Sequence, residues 1–182
     1  SALQTGAVNQ ENQLEALRGL VRCYYQLKDF TQANDAAKEL VSKKGISTDD
    51  KSVGFLVLGK SQQLSNDCNN AIASFKNCAA INKTAWGAEA RYEIANCQFT
   101  LNNMTAAEKA AMATIKETSS YDFWVTKSYI LLGDIFLQKK DYFNAKATYE
   151  SVAQNSGIPE LKEVAQQKLD KAKEEEKTSS KI

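Results

Sequence analysis

The sequence of 182 residues predicts an all-α fold of four consecutive antiparallel helix pairs followed by a ninth, C-terminal helix. One observation behind this prediction is a set of three features that recurs along the chain with a constant spacing. Another is the composition, which is rich in good helix formers and has a single proline and eight glycines. The last is apolar periodicity at intervals of three and four residues, as in Leu14, Leu17, Val21 and Tyr24.

Each predicted pair contains a large residue followed by a small one in its first helix, an alanine in its second helix, and an Asp or Asn with a hydrophobe between them. A large-small step lets two helices approach closely, and Asp or Asn accepts hydrogen bonds from the free N–H groups that begin a helix. Each feature steps by 38, 36 and 38 residues: Leu20-Val21, Leu58-Gly59, Ile94-Ala95 and Leu132-Gly133; Ala33, Ala71, Ala107 and Ala145; Asp29-Phe30, Asp67-Cys68, Asn103-Met104 and Asp141-Tyr142.

These features divide one predicted domain, 1–182, into repeats at about 10–44, 49–81, 85–118 and 121–155 and a capping helix at 159–177. Gly45 and Gly157 are predicted helix stops, and Thr105 with Glu108 has the spacing of a capping box. We expect residues 178–182 to fray. The predicted helices are 10–27, 30–44, 49–64, 68–81, 85–101, 105–118, 121–139, 142–155 and 159–177.

The two ends of the array differ in sequence. The ninth helix becomes highly charged from Lys171 onward, which suits a polar terminal cap. Residues 1–9 offer no such cap, so we expect the chain to be the C-terminal part of a longer array, able to self-associate through its N-terminal end. The alternative is that residues 1–9 fold over the first helix. A duplicated two-repeat unit is also compatible with features 74 residues apart, such as Phe75 and Tyr149, and so is chance.

The pairs resemble the tetratricopeptide repeat, most clearly in the fourth pair with Leu132-Gly133, Phe136, Asp141-Tyr142, Ala145 and Tyr149. The resemblance covers about residues 14–155. It implies a right-handed superhelical solenoid with a concave groove lined by the first helix of each pair. The step is longer than the family's usual one, which resembles bacterial variants found in cell-envelope assembly and in lipoprotein-associated proteins.

By this resemblance the groove residues are Arg18, Arg22, Tyr25, Lys60, Gln63, Glu89, Tyr92, Asn96, Phe99, Lys127, Ile130, Asp134 and Leu137. The implied function is a protein–protein interaction or scaffolding module that binds a peptide or partner segment, with acidic groups near the two arginines. The alternative function is a structural segment of a longer or self-associating scaffold in a bacterial cell envelope. The aromatic residues could instead belong to the core, and Arg22 could pair with Glu15. The family's two-carboxylate clamp is not expected, because the matching places hold Arg18, Arg22, Val57, Glu89 and Glu93.

Composition disfavours several other functions. The net charge of +1 lacks the basic excess of nucleic-acid binders, and no apolar run approaches the roughly 20 residues that span a bilayer. The chain has no histidine and no phosphate-binding glycine loop, so we expect no catalysis, metal or cofactor. Asp49-Asp50 and Glu174 to Glu176 are interpreted as structural. The four cysteines are expected to be buried free thiols, which favours the cytoplasm, whereas the repeat length favours a bacterial envelope.

Overall fold

The computed structural model describes residues 2–179, with side chains from residue 9 onward. This part of the chain is all-helical, with nine helices and no strand: α1 (Ala2–Gln26), α2 (Phe30–Ser42), α3 (Thr48–Leu64), α4 (Cys68–Ile81), α5 (Ala85–Thr100), α6 (Met104–Glu117), α7 (Asp122–Gln138), α8 (Tyr142–Asn155) and α9 (Pro159–Ser179). The predicted all-α class is therefore confirmed.

The second helices α2, α4 and α8 begin at the predicted residues, and α6 begins at Met104, one residue before the predicted 105. Asp29, Asp67 and Asp141 each accept a hydrogen bond from the backbone N–H three residues on, which satisfies a donor with no partner inside the helix. Asn103 precedes α6 and makes no such bond; its amide nitrogen donates to Oε1 of Gln98 at 3.0 Å. The predicted alanines at the pair contacts are fully buried.

The turn inside each pair has the same backbone conformation four times. The residue before the cap lies in the left-handed region, with φ between 59° and 62°; these residues are Lys28, Asn66, Asn102 and Lys140. The N–H of the cap residue then donates to the carbonyl five residues back, as Asp29 does to Tyr24 and Asp141 does to Phe136. This is the hydrogen bonding of a Schellman turn, which closes the first helix and starts the second in three residues.

Two kinds of close contact join the helices of a pair. In the second and fourth pairs a glycine lies under an aromatic ring: a Cβ at Gly59 would come within 2.6 Å of Phe75, and one at Gly133 within 2.3 Å of Tyr149. In the third pair, Ala95 and Ala111 occupy these two places, and both are fully buried. The predicted large-small step is confirmed in these three pairs, where a glycine faces an aromatic ring or an alanine faces an alanine.

The described chain divides after Ala90 into two compact units. In the first unit, α1, α2 and α3 share a core around Val21, Ala37 and Leu58. In the second unit, α5, α6 and α7 share one core, and α7, α8 and α9 share another around Tyr149 and Leu169. The assignment of the whole chain to one domain stays a prediction.

A buried polar cluster ties α3 to the loop after α4 in the first unit. The amide nitrogen of Asn82 donates to the hydroxyl of Ser52, whose own hydroxyl donates to the carbonyl of Thr48. The amide oxygen of Asn82 accepts from the backbone N–H groups of Thr84 and Gly87 and from the Thr84 hydroxyl. Every polar group of this side chain thus has a partner, as burial requires.

Four local predictions were wrong. The first helix begins at Ala2 rather than at residue 10, so residues 2–9 continue α1 instead of folding over it. Thr105 lies within α6, and Glu108 pairs with Lys139, so they form no capping box. Helix α9 reaches Ser179, where fraying was expected, and residues 180–182 lie outside the described residues. All four cysteines are free, but Cys23 is exposed, whereas the others are buried.

Candidate functional site

Side chains from α5, α7 and α9 enclose a cavity of about 340 Å³ in the second unit. We call it the second-unit cavity; its lining is Tyr92, Asn96, Phe99, Lys127, Ile130, Leu131, Asp134, Leu161, Val164 and Lys168. All the groove residues predicted between Tyr92 and Asp134 line it. Leu137 does not; it packs beside the core of α8 and α9. That these residues contact a ligand stays a prediction.

Tyr92 and Lys127 line one end of the cavity and belong to an aromatic cluster that continues behind them. The Tyr92 and Trp124 rings lie 5.5 Å apart, and Phe123 meets Trp124 edge to face at 4.9 Å. The Lys127 ammonium lies 4.4 Å from the centre of the Tyr92 ring and 5.1 Å from that of Trp124, within the range of cation–π attraction. Tyr92 is buried in the core of α5, α6 and α7, so it is both a core residue, as the alternative proposed, and a cavity wall.

The other end of the cavity is a short polar chain centred on Asp134. This carboxylate accepts a hydrogen bond from the Tyr149 hydroxyl at 2.6 Å and one from the Lys168 ammonium at 2.6 Å. Burial, the hydrogen bond to Asp134 and its negative charge raise the pKa of Tyr149. Burial first, then the charges of Glu93 and Asp134, raise the pKa of Tyr92. Both phenols are therefore neutral hydrogen-bonding groups at physiological pH.

The middle of the cavity is mainly apolar. Phe99, Ile130, Leu161 and Val164 supply hydrocarbon walls, and Val164 is 37% exposed at the margin. The Asn96 amide nitrogen donates to the Glu93 carboxylate at 3.0 Å. Apolar walls with a few fixed polar groups are typical of ligand pockets, where the polar groups give orientation.

The arginines predicted for the first unit lie in different environments. Arg18 makes two parallel bonds to the Asp50 carboxylate, at 2.7 and 2.6 Å, and a third to Glu15 at 2.9 Å. The guanidinium of Arg18 is the main cause that lowers the pKa of Asp50. Arg22 is exposed, and its suggested pairing with Glu15 is wrong because Glu15 pairs with Arg18. The structural interpretation of Asp50 is confirmed.

The other predicted groove residues of the first unit are half-buried. Tyr25 meets Phe30 edge to face at 6.3 Å and packs beside the core of α1 and α2. Lys60 forms an ion pair with Glu89, and Gln63 also has an interaction partner. Charged groups in this unit therefore pair largely with each other, and their role as ligand contacts stays a prediction.

Sequence reasoning missed the third wall of the second-unit cavity. Leu161, Val164 and Lys168 lie on one face of α9, at spacings of three and four residues. That spacing was visible, but α9 was assigned only the role of a terminal cap.

The residues that the structure describes contain no cluster of acidic or cysteine side chains arranged for a metal ion. Across residues 2–179, no helix has the length and apolarity needed to cross a membrane.

Solved structures with a similar fold include two crystal structures of MamA. One is 22% identical with a TM-score of 0.61, covering 93% of this chain and 94% of that one; the other is 22% identical with a TM-score of 0.59, covering 90% and 98%. BtubC (BKLC) from P. vanneervenii is 13% identical with a TM-score of 0.66, covering 96% and 84%. No protein-family model and no curated protein sequence matches the chain. The chain has a TPR-like helical-repeat fold.

Proposed function

We propose that this protein is an interaction module that takes side chains of a partner segment into the second-unit cavity. The observation that carries the proposal is the cavity itself, of about 340 Å³ with apolar walls and polar groups at both ends. This volume is at the lower end of the roughly 300–1,000 Å³ of ligand pockets. As a partner for such a space, a helical or extended segment that inserts one or two apolar side chains is better suited than a protein with a flat surface.

The proposal is tested by peptide display with a cavity-blocking variant. Val164→Trp adds a large ring at the margin of the cavity, and Met112→Trp adds the same ring at an exposed position of α6. Peptides selected on the unsubstituted protein are expected to lose binding to Val164→Trp by tenfold or more and to bind Met112→Trp normally. Selected peptides that bind all three proteins equally would place recognition elsewhere and contradict the proposal.

A second candidate function is association through α1. Ala16, Leu20, Cys23 and Leu27 form a stripe on one face of this helix, at spacings of four, three and four residues. All four are exposed, Leu20 by 44% and Leu27 by 75%. An apolar stripe at helical spacing is suited to packing against another helix.

The equivalent positions in later first helices are buried against the preceding pair. In α3, Gly54 lies against Leu40 and Val41 of α2, and Leu58 belongs to the core of α1 and α2. In α7, Leu132 and Ile135 pack with α6. The stripe on α1 therefore has the position of a pair-stacking surface, and we propose that it stacks on another helix pair, either in a second copy or in a longer array.

This candidate is tested by sedimentation over a wide concentration range. Leu20→Glu with Leu27→Glu is expected to abolish concentration-dependent association, whereas Leu64→Glu, at another exposed apolar position, leaves it intact. Association should also slow alkylation of Cys23, the exposed thiol on the stripe. A chain that is monomeric at all concentrations, with a constant alkylation rate, would argue against self-association.

A further inference from the structure

The two ammonium groups of the second-unit cavity differ in their partners. Lys168 forms an ion pair with Asp134 at 2.6 Å. Lys127 lies against the Tyr92, Trp124 and Phe123 rings, and no carboxylate among the described side chains pairs with it. One cation at the cavity is thus neutralised within the chain, and the other is held on ring faces without an ion pair to any described carboxylate.

Holding a lysine on ring faces prepares it for an anion. A lysine side chain normally loses rotamer entropy when it binds a ligand. Contact with three rings already restricts the Lys127 side chain, so binding a ligand costs it less rotamer entropy. A charge-assisted hydrogen bond from an ammonium to a carboxylate is about twice as strong as a neutral one.

The layout of α7 places the apolar part of the cavity beside this cation. Lys127 and Asp134 are seven residues apart, which is about 10 Å along a helix. Ile130 and Leu131 lie between them and line the cavity. A partner side chain packed on these two residues would therefore have Lys127 on one side and the paired Asp134 on the other.

We propose that Lys127 binds a carboxylate, and that the second-unit cavity selects partner segments with an acidic residue within one or two positions of the apolar side chain. This inference rests on the proposed function, because it names the chemistry of the segment that the cavity takes. At the far end of the cavity Lys168 already pairs with Asp134, so the segment needs an acidic group on the Lys127 side only.

Two peptide pools test the inference. Each contains N-acetylated pentapeptide amides of Gly and Ser with a central Leu or Phe; one pool has Glu beside that residue and the other has Gln. Binding is measured by NMR shifts of the α5, α7 and α9 amides and the Trp124 indole. We expect the Glu pool to bind about fivefold more tightly, in line with a partly exposed ion pair. Lys127→Gln should remove this preference without weakening the Gln pool, and Lys109→Gln on α6 should keep it.

The other outcomes separate the two proposals. If both pools shift the resonances of these helices in the unsubstituted protein and bind with equal affinity, the carboxylate inference is overturned and the cavity remains a binding site. If neither pool shifts these resonances up to millimolar concentration, the proposed function of the cavity fails, and the inference fails with it. If Lys127→Gln keeps the Glu preference, another cation binds the carboxylate, and the role of Lys127 is refuted.

Discussion

The two compact units use the same positions for different chemistry. Arg18 of the first unit corresponds, 74 residues on, to Tyr92 of the second, and Asp50 corresponds to Trp124. The first unit therefore has an ion pair with two hydrogen bonds where the second has two aromatic residues in contact, with ring centres 5.5 Å apart. One backbone frame thus supports a charge pair or an aromatic pair at the same place.

This difference shows which parts of the repeat set the frame and which are free to vary. Both units keep the left-handed turn residue before each cap and the glycine under an aromatic ring. The residue types on one face of their first helices differ between the units. Residues that contact each other, such as Arg18 with Asp50 and Tyr92 with Trp124, differ together. In the first unit Arg18 and Lys60 form ion pairs with carboxylates of the same unit. In the second unit Tyr92 of the aromatic pair lines a cavity, and both rings of the pair contact the Lys127 ammonium.

The largest expected effect comes from breaking the frame at Gly133. A Cβ there would overlap the Tyr149 ring, so Gly133→Ala should lower the free energy of unfolding by about 3 kcal/mol, measured by urea denaturation. In a Tyr149→Ala background the same substitution should cost nothing, because the pair then resembles Ala95 with Ala111. Gly19→Ala is the control, since nothing lies within 4 Å of its added methyl. Equal costs of Gly133→Ala in both backgrounds would contradict this account of the contact.

The ion pair of the first unit should give a pH dependence that the aromatic pair cannot give. Because Arg18 lowers the pKa of Asp50 in the folded state, the unfolded state binds more protons below about pH 4. The stabilisation is present above that pH and is lost as the pH falls through the folded pKa. At pH 7, Asp50→Asn should therefore have a lower urea concentration at its unfolding midpoint than the unsubstituted protein. This difference in midpoint should shrink as the pH falls towards 3. Exposed Asp35→Asn is the control, and a margin independent of pH would refute the assignment.

Two buried serines of α3 should respond in opposite directions. The Ser61 hydroxyl makes no hydrogen bond with any described residue, and its equivalent in the second unit is the buried apolar Ile135. Ser61→Ala should raise the free energy of unfolding by about 1 kcal/mol, because it removes an unsatisfied polar group. Ser52→Ala should lower it by about 1–2 kcal/mol, because it removes the acceptor of the buried Asn82 amide nitrogen. Thermal unfolding measures both, and changes of the same sign would contradict this difference.

The smallest effect is expected at the repeated turn. Lys28 and Lys140 adopt a left-handed conformation that glycine reaches without strain, so Lys28→Gly and Lys140→Gly should each stabilise by about 0.5–1 kcal/mol. Asn66→Gly and Asn102→Gly should gain less, since asparagine tolerates this region better. Denaturant midpoints of the four variants would show whether both units share one turn; a gain confined to one unit would show that they do not.

The sequence predicted the helices well because helix ends depend on local chemistry. The Asp and Asn caps and the buried alanines are each decided within a few residues, and they lie where expected. The predicted start of α1 was too late, because the sequence of residues 2–9 contains neither a cap nor a clear apolar period. The partner of Arg18 could not be predicted, since Asp50 lies 32 residues away and any acidic residue on α3 would have looked equivalent.

The candidate site was predicted in part for the same reason. Its residues on α5 and α7 followed from the repeat, which fixes the face of each first helix. The contribution of α9 did not, because this helix has no partner in the repeat pattern. The pairing of Lys168 with Asp134 depends on how α9 packs against α7, which is tertiary information.

The identical turn within each pair also indicates where the chain can change length. The repeat step varies between 38 and 36 residues, yet the three-residue turn does not, so length differences fall on the helices and on the connections between pairs. Adding two flexible residues to a surface connection lengthens a loop that is already closed, and loop-closure entropy grows only slowly with length. The exposed Ser119 and Ser120, in the connection between α6 and α7, are thus a natural place for inserting a tag or a second domain. An insertion at 27–29 would instead remove the hydrogen bonds that join two helices.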